Sequence, residues 1–177
     1  MQYVILLRGI NVGGRTIKMD ELKSCFEKAG YKNVITVLQT GNVILESKEK
    51  NTGKVQKAVE ALLAQTFDYP AKVLVITPVQ LASVIEQYPF TQYGAEYHRY
   101  AYFTDKGSEK ELATQAGNLD KLTEEIATGE GVIYWRVLQG HTLDSAFGKY
   151  TAKAAVKHFL TNRNLNTLEK ILAKCSL

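Results

Sequence analysis

Short apolar runs alternate along the chain with longer stretches in which apolar positions recur every three or four residues. Tyr3–Leu7 is a continuous apolar run, the length of one buried strand, and Gly9, Gly13 and Gly14 after it mark a loop. Over Lys18–Ala29 the apolar positions Met19, Leu22, Phe26 and Ala29 fall on one helical face. Asp20 and Glu21 suit its first turn and Gly30 its end. Val34–Leu38 and Val43–Leu45 are β-branched runs around Thr40-Gly41-Asn42, and their Gly-Asn pair predicts a tight type II′-like hairpin turn. Val55, Val59, Leu62, Leu63 and Phe67 mark a second helix with Asn51 or Thr52 as its cap, and Lys72–Ile76 is the next strand. The order is βαββαβ, a ferredoxin-like half with an antiparallel sheet over residues 1–77.

Residues 78–177 predict a second, smaller α+β half, with the connection near 88–96. Thr77-Pro78-Val79-Gln80 combines a cap, a first-turn proline and a capping-box glutamine ahead of a helix through Tyr88. Tyr97–Thr104 reads as a strand, Ser108-x-x-Glu111 as the cap of a short helix, and Val132–Leu138 as a strand after the turn Gly129-Glu130-Gly131. Residues 122–127 fit strand or helix, because Glu124 and Glu125 look like first-turn or solvated charges. Two helices, 146–160 and 167–175, close the chain, the second capped by Asn166, which makes the order αβαββαα. The halves share element types without sequence identity that would mark a repeat.

Of 177 residues, 45% are hydrophobic and 23% charged, which fits a globular chain and excludes a disordered one. No run approaches the roughly 18 apolar residues of a membrane span, and no secretory signal precedes the first strand. Two cysteines, Cys25 and Cys175, predict a reducing, cytoplasmic setting. With His98, His141 and His158 they show no metal-ligand spacing, so neither metal nor cofactor is expected. The net charge of +4 is uneven: residues 1–147 sum to −1 and residues 148–177 to +5. Lys149, Lys153 and Lys157 recur at the spacing of a solvated helix face, and equally at that of a phosphate-binding stripe.

Three segments carry more than periodicity. Leu6-Leu7-Arg8-Gly9-Ile10-Asn11-Val12-Gly13-Gly14 with Lys18-Met19-x-x-Leu22, Gln39-Thr40-Gly41-Asn42-Val43, and Thr161-Asn162-Arg163-Asn164-x-x-Thr167-x-x-Lys170 span nearly the whole chain. Together they resemble a bacterial family known as domain of unknown function 1697 (DUF1697). Thr40 stands where that family usually has Ser, and Leu165 where it has Trp. The resemblance implies an α+β, ferredoxin-like fold in an intracellular bacterial protein, and implies no activity, substrate or cofactor.

In a ferredoxin-like sheet the strand order 4-1-3-2 sets the end of the first strand beside the Thr40-Gly41-Asn42 turn. Arg8, Gly9, Asn11, Gly13, Gly14, Arg15 and Lys18 then share one sheet edge with that turn. Arginine, lysine and amide donors beside glycines suit an anion, with Lys149, Arg163 and Asn164 as candidates from the second half. The same residues also suit simple roles: a positive-φ turn at Gly13-Gly14, Asn42 serving its hairpin, Asn164 capping a turn. No dinucleotide or P-loop fingerprint occurs. The expected function is binding of a phosphate-bearing or other anionic small molecule. A small enzyme acting on a nucleotide or sugar phosphate is the alternative, with no catalytic residue assigned, since no histidine has a sequence-adjacent acid or cysteine partner. Nucleic acid is a further candidate partner, because Tyr97–Phe103 and Ile133–Arg136 interleave aromatic and basic residues, though such spacing also suits core packing. No membrane partner is expected, and no oligomeric state is specified.

Overall fold

The computed structural model describes residues 1–10, 16–68, 70–91 and 94–176. Among these, eight strands and six helices follow one another as β1 (Gln2–Arg8), α1 (Met19–Lys28), β2 (Lys32–Val37), β3 (Asn42–Glu46), α2 (Thr52–Phe67), β4 (Lys72–Ile76) and α3 (Pro78–Glu86). Then come β5 (Tyr97–Thr104), α4 (Glu109–Gln115), β6 (Glu124–Gly129), β7 (Val132–Leu138), α5 (Ala146–Ala154), β8 (Leu160–Asn164) and α6 (Leu165–Leu172). No helix among the described residues is long and apolar enough to cross a membrane. The chain forms two compact units: Met1–Ala82 with Glu169–Leu177, and Ser83–Leu168.

The first unit carries the sheet β2-β3-β1-β4, antiparallel throughout. Tyr3 through Leu7 are all at most 1% exposed, so β1 is buried on both faces, as its unbroken apolar run requires. Tyr3, Ile5 and Leu7, two residues apart, meet Leu22 and Phe26 of α1 and Val59 and Leu63 of α2 in one core. Helix α2 begins where the Asn51 side chain accepts the Lys54 N–H at 3.0 Å, and ends at Asp68 with φ 46°. Thr77 and Gln80 form the reciprocal capping box at the start of α3.

The second unit repeats the pattern: β5, α4, β6, β7, α5 and β8 give βαββαβ again, and the sheet order β6-β7-β5-β8 matches that of the first. Each sextet is followed by a helix, α3 or α6. The halves are thus one topology written twice in dissimilar residues.

Several expectations are corrected here. The order of the second half is αβαββαβα, because α5 stops at Ala154 and the chain returns to the sheet as β8. Ala155 to His158 turn tightly, with Val156 and Lys157 N–H groups donating three residues back, so the expected helix to 160 unwinds and delivers Leu160 to β5. The last helix begins at Leu165 rather than 167, and Asn164, not Asn166, caps it by accepting the Asn166 N–H at 2.9 Å. The β2–β3 connection is a four-residue loop, since Val37 pairs with Asn42, with positive φ at Leu38 (58°) and Gly41 (70°) in place of a two-residue turn. Residues 124–129 are strand. Ser108 makes no side-chain cap bond, and Glu111 accepts from Gln115 instead.

Candidate functional site

The antiparallel register sets Leu6 opposite Asn42 and Arg8 opposite Lys72, and the Leu7 N–H donates to the Gly41 carbonyl at 2.8 Å. The end of β1 therefore lies directly against the Thr40-Gly41-Asn42 segment. Gly9 (φ 62°) and Gly41 (φ 70°) both hold left-handed backbone there. Ile10 and Ile17 are both buried in the first unit's core, so the connection from β1 to α1 is anchored at either end. Lys18, exposed, is the cap position of α1 and makes no side-chain cap bond. Asn11, Gly13, Gly14 and Arg15 lie outside the described residues.

Asn42 is fully buried, and its Nδ2 donates to the Val37 carbonyl at 2.9 Å and to Thr40 Oγ1 at 2.8 Å. Its amide thus ties the β2–β3 loop together from beneath. Asn42→Ala strands the Val37 carbonyl and lowers stability by about 1–2 kcal/mol. Urea unfolding reads this directly, and an unchanged midpoint would contradict the role. Arg8 is half-buried, and Lys72 opposite it is bridged to Glu60 of α2 at 3.5 Å. Glu60 also accepts the Val73 N–H at 3.1 Å, so the second cation at this edge is neutralised locally.

Lys149, Arg163 and Asn164 all belong to the second unit. Lys149 is exposed on α5. Arg163 is only 8% exposed and turns back on its own strand, its guanidinium donating to Thr161 Oγ1 at 3.0 Å and to the Asn162 carbonyl at 2.7 Å. Burial pushes its pKa down to about 10, which leaves it charged at neutral pH.

The aromatic strands are core. Tyr100 stacks on Trp135 with ring centroids 5.3 Å apart, Tyr102 and Phe147 meet Trp135 at 5.7 and 5.4 Å, and Trp135 itself is fully buried. A base-stacking surface cannot use that indole. Cys25 is 7% exposed and lies 3.4 Å from the Thr66 hydroxyl.

Glu124 and Glu125 are neither first-turn nor solvated charges. Glu124 is 2% exposed; its carboxylate accepts the Trp135 indole N–H at 2.9 Å and the Phe147 backbone N–H at 3.1 Å, at the start of α5. Glu125 pairs with the buried Arg136 at 3.2 Å, and that guanidinium also covers the Tyr97 ring at 4.6 Å. Counting outward from the Gly129-Glu130-Gly131 turn pairs Glu125 with Arg136 and Ile126 with Trp135, the signal in the sequence that reveals both. His141 does have a sequence-near acid: its Nδ1 is 3.4 Å from Asp144 Oδ1, both groups largely exposed.

A family model described as a protein of unknown function (DUF1697) matches residues 1–134. No curated protein matches the sequence. Among solved structures the chain is similar to the conserved bacterial protein SP0830 from Streptococcus pneumoniae. The TM-score is 0.78 at 22% identity, covering 97% of each chain, a likeness of fold.

Proposed function

The chain belongs to the DUF1697 family of proteins of unknown function, and from the geometry we propose that it is a cytosolic protein that binds a phosphate-bearing or other anionic small molecule at the end of β1. One observation carries this reading: the register that pairs Leu6 with Asn42 and joins Leu7 to Gly41, so that Arg8 and Gly9 follow directly where β1 leaves that turn. Gly9, exposed and at positive φ, brings backbone to the surface without a Cβ, and Arg8 supplies a planar fork of donors for phosphate or carboxylate oxygens. Lys18 at the start of α1 adds a second cation where the helix dipole also favours negative charge. Asn11 and Arg15, between the buried Ile10 and Ile17, are the sequence's further donors for the same ligand.

Thermal denaturation with inorganic phosphate, adenosine monophosphate and ribose 5-phosphate tests it. A ligand at about a hundredfold its Kd stabilises the fold by roughly 2.7 kcal/mol, and Arg8→Gln combined with Lys18→Gln lowers that gain. The reading fails if none of these compounds raises the midpoint, or if the double substitution leaves the gain undiminished.

A further inference from the structure

A second polar hollow lies wholly within the second unit, at the sheet end opposite the β6–β7 turn. There β5 begins, β7 and β8 end and α6 starts, enclosing about 510 Å³. That volume falls in the range of small-molecule sites. Tyr97, His98 and Arg99 line it from β5, Gln139 from the end of β7, and Asn164 and Asn166 from the β8–α6 junction. Phe90, 6% exposed and edge-on to Tyr88, forms its apolar wall.

The hydrogen bonds already made decide what this hollow offers. Two contacts help position Arg99: its Nη2 donates to Asn166 Oδ1 at 2.7 Å, and its Cζ stands 6.0 Å from the centre of the Tyr88 ring. Asn166 therefore uses its oxygen on Arg99, and Asn164 uses its oxygen on the Asn166 N–H. What each amide retains is its NH2 group, a donor. Gln139 is the reverse case, since its Nε2 donates to the Ala95 carbonyl at 2.6 Å and its oxygen remains as an acceptor. None of the described residues lining the hollow is an acid. Glu96 at the rim turns its carboxylate toward Gly94. The result is a pre-set guanidinium and two amide donors beside one small space, with the Gln139 oxygen as an acceptor.

We propose that this hollow is a binding site for a small anion, a phosphate- or carboxylate-bearing molecule held by Arg99 with Asn164 and Asn166. An arginine already fixed by an amide and an aromatic face loses little side-chain freedom on binding, and its fork matches either oxyanion. A hydroxyl beside the anionic group would find the Gln139 oxygen. This site shares no residue with the edge at Arg8, so either can exist without the other.

The test is an NMR titration of the full chain with inorganic phosphate and, separately, with succinate, against sodium chloride of equal ionic strength. Expected are saturable shifts of the Arg99 and Asn166 backbone amides and of the Asn164 and Asn166 side-chain NH2 resonances. Phosphate alone, succinate alone or both giving them supports the site and sets its class. Asn166→Asp keeps the oxygen that holds Arg99 and adds a negative charge, so it weakens binding at least about tenfold. Arg99→Gln does the same, and Glu96→Gln tightens binding. The Trp135 indole resonance reports that each variant is folded. The proposal is overturned if neither anion gives saturable shifts, if chloride reproduces them, or if folded Asn166→Asp binds as tightly as the parent.

Discussion

Glu124→Ala lowers the unfolding free energy by about 3 kcal/mol. The carboxylate accepts both the Trp135 indole N–H and the Phe147 backbone N–H inside the second unit, and alanine leaves both donors buried without a partner. Each stranded donor costs roughly 1–3 kcal/mol, offset in part because a buried carboxylate no longer needs solvation by the protein. The thermal midpoint then falls by about 6–12 °C for a chain of this length. Glu124→Gln lies between the two, because its oxygen still accepts one N–H while its own NH2 group faces the other. Trp135 is the chain's single tryptophan, so its fluorescence follows unfolding directly. A Glu124→Ala midpoint within a degree of the parent would show that the buried carboxylate is not what holds α5 against the sheet.

Gly41→Ala is the second large loss, again about 3 kcal/mol. A Cβ at Gly41 would sit 2.9 Å from both Leu7 Cβ and Ile10 Cγ2, and the Leu7 atom belongs to the base of a strand that cannot retreat. Left-handed backbone adds about 1–2 kcal/mol for any residue with a Cβ, and the clash a further 1–3 kcal/mol. Gly30 provides the control. Its φ is 89° but nothing lies within 4 Å of its added Cβ, so Gly30→Ala costs about 1 kcal/mol, conformational strain alone. Equal losses at the two positions, measured by urea unfolding, would mean that close packing of the loop on β1 contributes nothing. Because Gly41 packs on Leu7 and Ile10, the residues on either side of Arg8 and Gly9, its substitution also removes the anion-dependent stabilisation proposed for that edge.

Most of the first unit was legible because each element announced itself in apolar spacing and ended at a glycine or a capping residue. Tyr3–Leu7, Lys72–Ile76 and the Thr77–Gln80 box needed no tertiary information. β8 was hidden because Leu160-Thr-Asn-Arg-Asn has one apolar residue and two asparagines, poor strand formers, so its pairing with β5 comes from sheet completion, not from propensity. The missing signal was topological: after βαββα, an antiparallel sheet built like the first still needs its fourth strand. The Glu124 and Glu125 pair was misleading for a related reason. Adjacent acids suggest solvent, yet on a strand they face opposite sides, where one meets an indole and the other a guanidinium. The edge at Arg8 could be located because two neighbouring strands suffice to define it. The hollow at Arg99 could not, since it is assembled from β5, β7, β8 and α6 across 70 residues of sequence, and its last wall is the strand the pattern concealed.

The first unit is discontinuous, made of Met1–Ala82 and Glu169–Leu177. A ribosome synthesises residues in order and a domain folds once its residues are available. The first half of this chain is therefore made early but completed late: its contribution from residue 169 onward, including the Ser176 N–H that donates to Gln2 Oε1, emerges only after the whole second sheet has been translated. Until then the first unit lacks a segment that belongs to it, although all of its strands have already been made.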